Sequence, residues 1–121
     1  MLRQRTILAL TLTTRLETDV TVIDLSGRLT LGPASAALRE ALQALTDGGV
    51  RRILLNLKDV SFIDSAGLGE LASGHANVKN KGGTLKMACL SKRVRELFQM
   101  TGLNRVLSIY ENEPDAIHSW L

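Results

Sequence analysis

The sequence predicts an α/β fold, a single domain whose mixed, mostly parallel sheet is flanked by about four helices and opens with an antiparallel hairpin. Three observations carry this. Strand-like and helix-like patterns alternate from Val20 onward, the run Ile53 to Leu57 is nearly continuous in apolar residues, and no repeat or low-complexity linker interrupts the alternation. An unbroken apolar run of that length is what a strand covered by helices requires. At 121 residues the chain can bury roughly two-thirds of its unfolded surface in one core, so residues 1–121 are expected to form one domain. A hydrophobic content of 45% with 22% charged residues argues against disorder and against a membrane bundle.

Thr6 to Thr14 and Val20 to Leu25 are rich in leucine and β-branched residues and are separated by Glu17-Thr18-Asp19, which reads as the opening hairpin. Gly32-Pro33 starts a helix whose Ala34, Ala37, Leu38, Ala41, Leu42 and Leu45 follow three-four spacing as far as Asp47-Gly48-Gly49. After the strand Ile53 to Leu57, a second helix is expected from Asp64-Ser65. It carries Leu68, Leu71, Ala72, His75 and Val78 on one side and stops at Asn80-Lys81-Gly82-Gly83. A strand from Thr84 to Cys89 follows. Ser91 can cap a third helix with Val94, Leu97 and Phe98 inward and Gly102 at its end. Val106 to Tyr110 reads as a strand, and Glu113-Pro114 opens a short last helix ending at Trp120-Leu121.

Composition narrows the function classes. Aromatic residues make up only 3%, namely Phe62, Phe98, Tyr110 and Trp120, too few for a base-stacking platform, so direct nucleic-acid binding is not expected. The lone Cys89 rules out an internal disulfide and a cysteine-rich zinc site, which points to a reducing, cytoplasmic setting. The net charge of +3 is spread along the chain; Arg51-Arg52 and Lys92-Arg93-Val94-Arg95 read as solvated faces. The basic start Met1-Leu2-Arg3-Gln4-Arg5 is followed by a threonine-broken stretch with no Ala-x-Ala exit, so export is not expected. No apolar run approaches the ~20 residues needed to span a bilayer, and membrane insertion is not expected either.

The informative segment is Asp59 to Gly69, where an apolar strand runs into a helix start combining a serine with two glycines. Gly67 and Gly69 each cost about 1 kcal/mol inside a helix relative to alanine. A capped helix start with glycines allowing close packing accounts for them without any function. Gly67-x-Gly69-x-x-Ala72 matches the dinucleotide fingerprint in form, but the confirming acid about 20 positions on is absent from Lys86-Met87-Ala88-Cys89-Leu90. A nucleophile elbow needs glycine two places before the serine, where Ile63 stands, and only His75 and His118 are available as bases. There is no Walker loop, His-Glu-x-x-His or Cys-x-x-Cys, so no metal and no cofactor are expected. What remains is Ser65 at an exposed helix N-terminus, where the positive end of the helix dipole tolerates an added phosphate.

Ile63-Asp64-Ser65-Ala66-Gly67-Leu68-Gly69 resembles the signature of the anti-sigma factor antagonists, members of the STAS domain family. The resemblance extends through Leu55-Asn56-Leu57 and Asp59, Gly82-Gly83, Val94-Arg95-Glu96-Leu97-Phe98 and Thr101-Gly102-Leu103, and covers most of the chain after Val20. It implies a STAS-like fold and a binding regulator, not an enzyme. Such a regulator binds an anti-sigma factor with serine kinase activity and so frees a sigma factor. Ser65 corresponds to the serine phosphorylated by that kinase and restored by a serine phosphatase. Thr30, Asp64, Ser65, Ala66, Gly67, Leu68 and Gly69 are the implied partner-binding residues. In Gly27-Arg28-Leu29-Thr30, the threonine stands where many relatives carry an acid, so a more acidic partner surface, or a partner other than the usual kinase, is among the expectations. The alternative implied by the resemblance is a STAS subunit of a membrane transporter complex such as a lipid-exporting ATPase.

Overall fold

A computed structural model describes residues 3–7 and 9–121. Strands β1 (Arg3–Ile7), β2 (Leu10–Glu17) and β3 (Val20–Leu29) pair antiparallel in that order, Ile7 opposite Leu10 and Glu17 opposite Val20. The expected hairpin is β2–β3, reversing at Thr18, whose φ is +56°. The one strand expected over Thr6 to Thr14 is in fact the junction of β1 and β2. The chain doubles back at Ala9, φ +74°, with no glycine, proline or asparagine to announce a turn; Leu8 lies outside the described residues.

Strand β4 (Arg52–Ile63) lies parallel to β3 and runs well beyond the expected end at Leu57. Lys58 and Asp59 are exposed and look like a strand terminus, but they pass through a bulge. Asp24 faces Asn56 while Ser26 faces Asp59, and a second shift puts Gly27 opposite Val60 but Arg28 opposite Phe62. Each irregularity adds residues to β4 that β3 lacks, and the inward alternation resumes with Val60 and Ile63. Strands β5 (Thr84–Ala88) and β6 (Ser108–Tyr110) continue in parallel. The six-stranded sheet therefore has the order β1-β2-β3-β4-β5-β6, its antiparallel half preceding its parallel half.

Helices α1 (Pro33–Asp47), α2 (Ser65–Asn80) and α3 (Lys92–Thr101) cover one face and α4 (Glu113–His118) the other. Period-two alternation divides each strand between the two faces. Leu55 joins Leu38, Leu71 and Phe98 in the larger core, while its neighbour Leu54 joins Val22 and Ala116 in the smaller one. The starts and ends expected for α1, α2 and α3 are observed. Asp64 and Ser91 supply side-chain caps, and Gly102 closes α3 in the left-handed conformation, φ +78°. On α2 the buried stripe is Gly67, Leu68, Glu70, Leu71, Gly74 and Val78, whereas Ala72 and His75 are only half-buried. Cys89 leaves β5 at φ +64°. A 3-10 turn over Leu103–Arg105 exposes Val106 and shortens β6 to Ser108–Tyr110. The last helix stops at His118, and Trp120 packs against the smaller core beyond it.

The opposite end of that face is tied by Arg15, which donates to both carboxylate oxygens of Asp24 at 2.7 and 3.0 Å and to Glu113 at the start of α4. Lys86, 8% exposed, donates to Ser119 at 2.5 Å and lies 4.2 Å from the Trp120 ring. These contacts hold the short α4 where six helical residues alone would not persist. Leu55 is fully buried at the centre of the sheet, so Leu55→Ala should lower unfolding free energy by about 2–5 kcal/mol. Urea unfolding should show a lower midpoint with an unchanged slope.

Candidate functional site

Because β3 and β4 are parallel, their carboxyl ends lie on one edge of the sheet and their following loops side by side. The bulges in β4 bring Ile63 level with Leu29, so the loop entering α1 meets the mouth of α2. Asp64 binds them together. Its Oδ1 accepts from the Gly67 N–H at 2.8 Å as the N-cap of α2, and its Oδ2 accepts from the Leu31 N–H at 2.9 Å. The Asp64 N–H itself donates to the Leu29 carbonyl at 3.3 Å. Ser35 fastens the loop from the other side, its hydroxyl and amide both donating to the Thr30 carbonyl at 2.7 and 3.2 Å.

Gly67 explains why the two segments can approach. A Cβ at that position would stand 2.3 Å from the Leu29 carbonyl oxygen and 2.9 Å from Ile63 Cγ2, so no larger residue fits without shifting backbone. Gly69 is different, since nothing lies within 4 Å of where its Cβ would be, and its surface is open. Ser65 is exposed at the first helical position, Thr30 and Ala66 are half-exposed, and Gly67 and Leu68 are buried. Of the sequence-derived residues, then, Ser65 and Gly69 face solvent, Thr30 and Ala66 border them, and Asp64, Gly67 and Leu68 hold the frame. Leu31 was not singled out from the sequence, yet it is 77% exposed beside this mouth. One isolated leucine in a loop carries no signal; its meaning comes from the backbone bond to Asp64, which fixes where it stands.

The Gly67 N–H first, and the Leu31 N–H second, hold the Asp64 carboxyl below its ordinary value, because both bonds favour the charged form. Among the described residues no histidine stands beside Ser65. His75 lies ten residues further along α2, roughly 15 Å away at 1.5 Å per residue, and His118 is on α4 against the opposite face of the sheet. Burial pushes the Cys89 thiol up, away from a reactive thiolate. No cluster able to hold a metal ion occurs among the described residues. A hollow of about 560 Å³ is lined by Leu12, Leu16, Ala41 and Leu45 between β2 and α1 and contains none of the residues of this mouth. The arrangement presents a hydroxyl on a surface held by backbone and side-chain hydrogen bonds.

The chain is similar to known proteins over most of its length. The STAS domain family profile matches residues 11–116. The anti-sigma-B factor antagonist of Bacillus subtilis is 39% identical over 93 residues, 77% of this chain and 83% of that protein. The crystal structure of an anti-sigma factor antagonist from Mycobacterium paratuberculosis superposes with a TM-score of 0.77 at 23% identity, covering 91% of this chain and 92% of that one. The Bacillus cell fate determinant SpoIIAA, solved in its phosphorylated form, superposes with a TM-score of 0.65 at 21% identity, covering 100% of both chains.

Two predictions follow from the Asp64 bonds. Since its folded pKa is depressed, Asp64 contributes stability above its unfolded value, and this is lost as pH falls through the folded one. Thermal unfolding of the wild type between about pH 5 and pH 2 should steepen downward more than that of Asp64→Asn. The asparagine keeps an oxygen for Gly67 but turns its second arm into a donor facing Leu31, or the reverse. Gly67→Ala should cost about 1–3 kcal/mol in chemical denaturation, as overpacking against fixed backbone does.

Proposed function

This chain belongs to the STAS domain family, and on that premise we propose that it is an anti-sigma factor antagonist whose docking is switched by a phosphate on Ser65. The observation that carries this reading is the exposure of Ser65 on a mouth that Asp64, Gly67 and Ser35 keep rigid. The hydroxyl is reachable by a kinase, and its addition requires no unfolding of α2. The name of the Bacillus subtilis relative supports the antagonist role, and the phosphorylated state of SpoIIAA supports the modification.

In the unmodified state Ser65, Gly69, Thr30 and Leu31 form the centre of a docking surface for an anti-sigma factor with serine kinase activity. Binding sequesters that factor and releases its sigma factor. Leu31 supplies an apolar anchor, Ser65 a small polar contact, and Gly69 room for the partner's backbone. Transfer of the ATP γ-phosphate to Ser65 Oγ by the partner adds about −1.5 to −2 charges beside Asp64. A partner carboxylate about 6 Å from a doubly charged phosphate, at an effective dielectric constant near 40, is repelled by about 3 kcal/mol, which weakens affinity about a hundredfold. A serine phosphatase hydrolyses the phosphoester and restores docking.

Incubation with the kinase and ATP should place a single phosphate on Ser65, detected by mass spectrometry of the tryptic peptide. Ser65→Ala should stay bound in the presence of ATP, and the phosphoprotein should lose about two orders of magnitude in affinity by calorimetry. Equal binding by the phosphorylated and unmodified forms would overturn the switch. Stable association instead with a transporter ATPase, insensitive to Ser65→Asp, would make the chain a transporter subunit.

A further inference from the structure

Resting on the docking surface proposed above, we infer that the adjoining groove at Phe62 receives an acidic segment of the partner carrying an apolar side chain. The groove has a volume of about 270 Å³ between the end of β4 and α3, with Phe62, Leu97 and Met100 as its apolar lining and Arg93 and Glu96 at its rim. Met100 is 84% exposed, a methionine on a surface where the helix could have placed any polar residue. Thioether side chains adapt to irregular apolar partners.

Two guanidiniums approach the Phe62 ring of the groove. The Arg28 guanidinium lies 4.5 Å from the Phe62 ring centroid and that of Arg93 lies 5.9 Å from the same ring. Arg5, Arg15, Arg39 and Arg52 each hold a carboxylate. Arg28 and Arg93, like Arg51, Arg95 and Arg105, hold none among the described residues, and of these five only Arg28 and Arg93 lie over an aromatic ring. Stacking engages the face of a guanidinium and leaves its edge donors for a carboxylate in the fork geometry that arginine favours. Two like charges on one ring repel, and an acid arriving between them relieves that repulsion while completing both hydrogen-bonding edges. Arg93 and Glu96 offset one another in the lining, and it is Arg28, over the Phe62 ring, that tips the balance to positive.

The groove adjoins the mouth of α2. Ile63, in its lining, pairs with Leu29 just before the loop into α1, and Phe62 pairs with Arg28, two residues before Thr30. Thr30 is uncharged, so Arg28, two residues earlier on β3, is the cation next to the mouth on this side. An acidic partner segment held here also supplies the carboxylates that a phosphate on Ser65 would repel.

The full chain, isotopically labelled with nitrogen-15, is titrated with a blocked peptide Glu-Asp-Phe-Glu-Asp, with its lysine counterpart and with a serine counterpart. The acidic peptide should shift the amide resonances of Phe62, Arg93 and Met100 and the others should not. The double variant R28E/R93E should weaken the acidic peptide on the order of tenfold and give the lysine peptide the same shifts instead. Equal response to acidic and basic peptides, no response at these amides, or an unchanged affinity in the double variant would overturn the inference. So would binding to phosphatidylglycerol vesicles, lost in the double variant, without any response to the acidic peptide, since the groove would then be a lipid contact. These readouts need no kinase. Absence of phosphate on Ser65 sinks the switch and leaves the peptide result standing, whereas a working switch with no acidic preference sinks the groove alone.

Discussion

One carboxylate holds two loops that the chain separates by 33 residues. Asp64 accepts from Gly67 on its own helix and from Leu31 across the sheet edge, and the position of everything else at this end of the molecule depends on those two bonds. Without the first, the opening turn of α2 loses its cap. Without the second, Thr30 and Leu31 keep only the anchorage of Ser35. A charged acceptor suits this task because bonds to ionised groups are stronger than neutral ones and because the dipole of α2 favours the same sign. The glycine at position 67 completes the arrangement by letting the helix approach the Leu29 carbonyl.

Much of this frame was legible in the sequence where local chemistry decides structure. Gly32-Pro33, Asp64-Ser65 and the Ser91 to Gly102 span carry their own start and stop signals, and the structure has helices there. The parts that escaped depend on contacts between distant segments. No turn residue marks Ala9, so β1 and β2 read as one strand until the sheet ladder separates them. The bulges of β4 interrupt period-two alternation with Lys58 and Asp59, and a strand that is half bulge looks finished when it is not. The N-cap of Asp64 is local and was readable; its bond to Leu31 is tertiary and was not. Leu31 could only be noticed once its backbone was seen to be fixed and its side chain left in water.

The same length of chain therefore divides into residues that build and residues that face outward. Gly67 and Leu68 are buried under the mouth, while Ser65 and Gly69, one place to either side of them or nearly so, are exposed. Ser65 and Gly69 stand four positions apart and so share the outward face of the helix. The smaller core on the other side of the sheet takes no part in the mouth. Arg15 and Lys86 secure α4 there, far from the loops that Asp64 joins.

Asp64 and Ser65 are adjacent in the chain yet answer to different constraints, one internal and one external. Replacing the first removes two bonds of the frame, whereas the exposed second takes part in none of them. Under the proposed switch, losing that hydroxyl abolishes control while leaving every bond of the frame in place. Control would then be more fragile in inheritance than shape, with a permanently locked descendant a single codon change away.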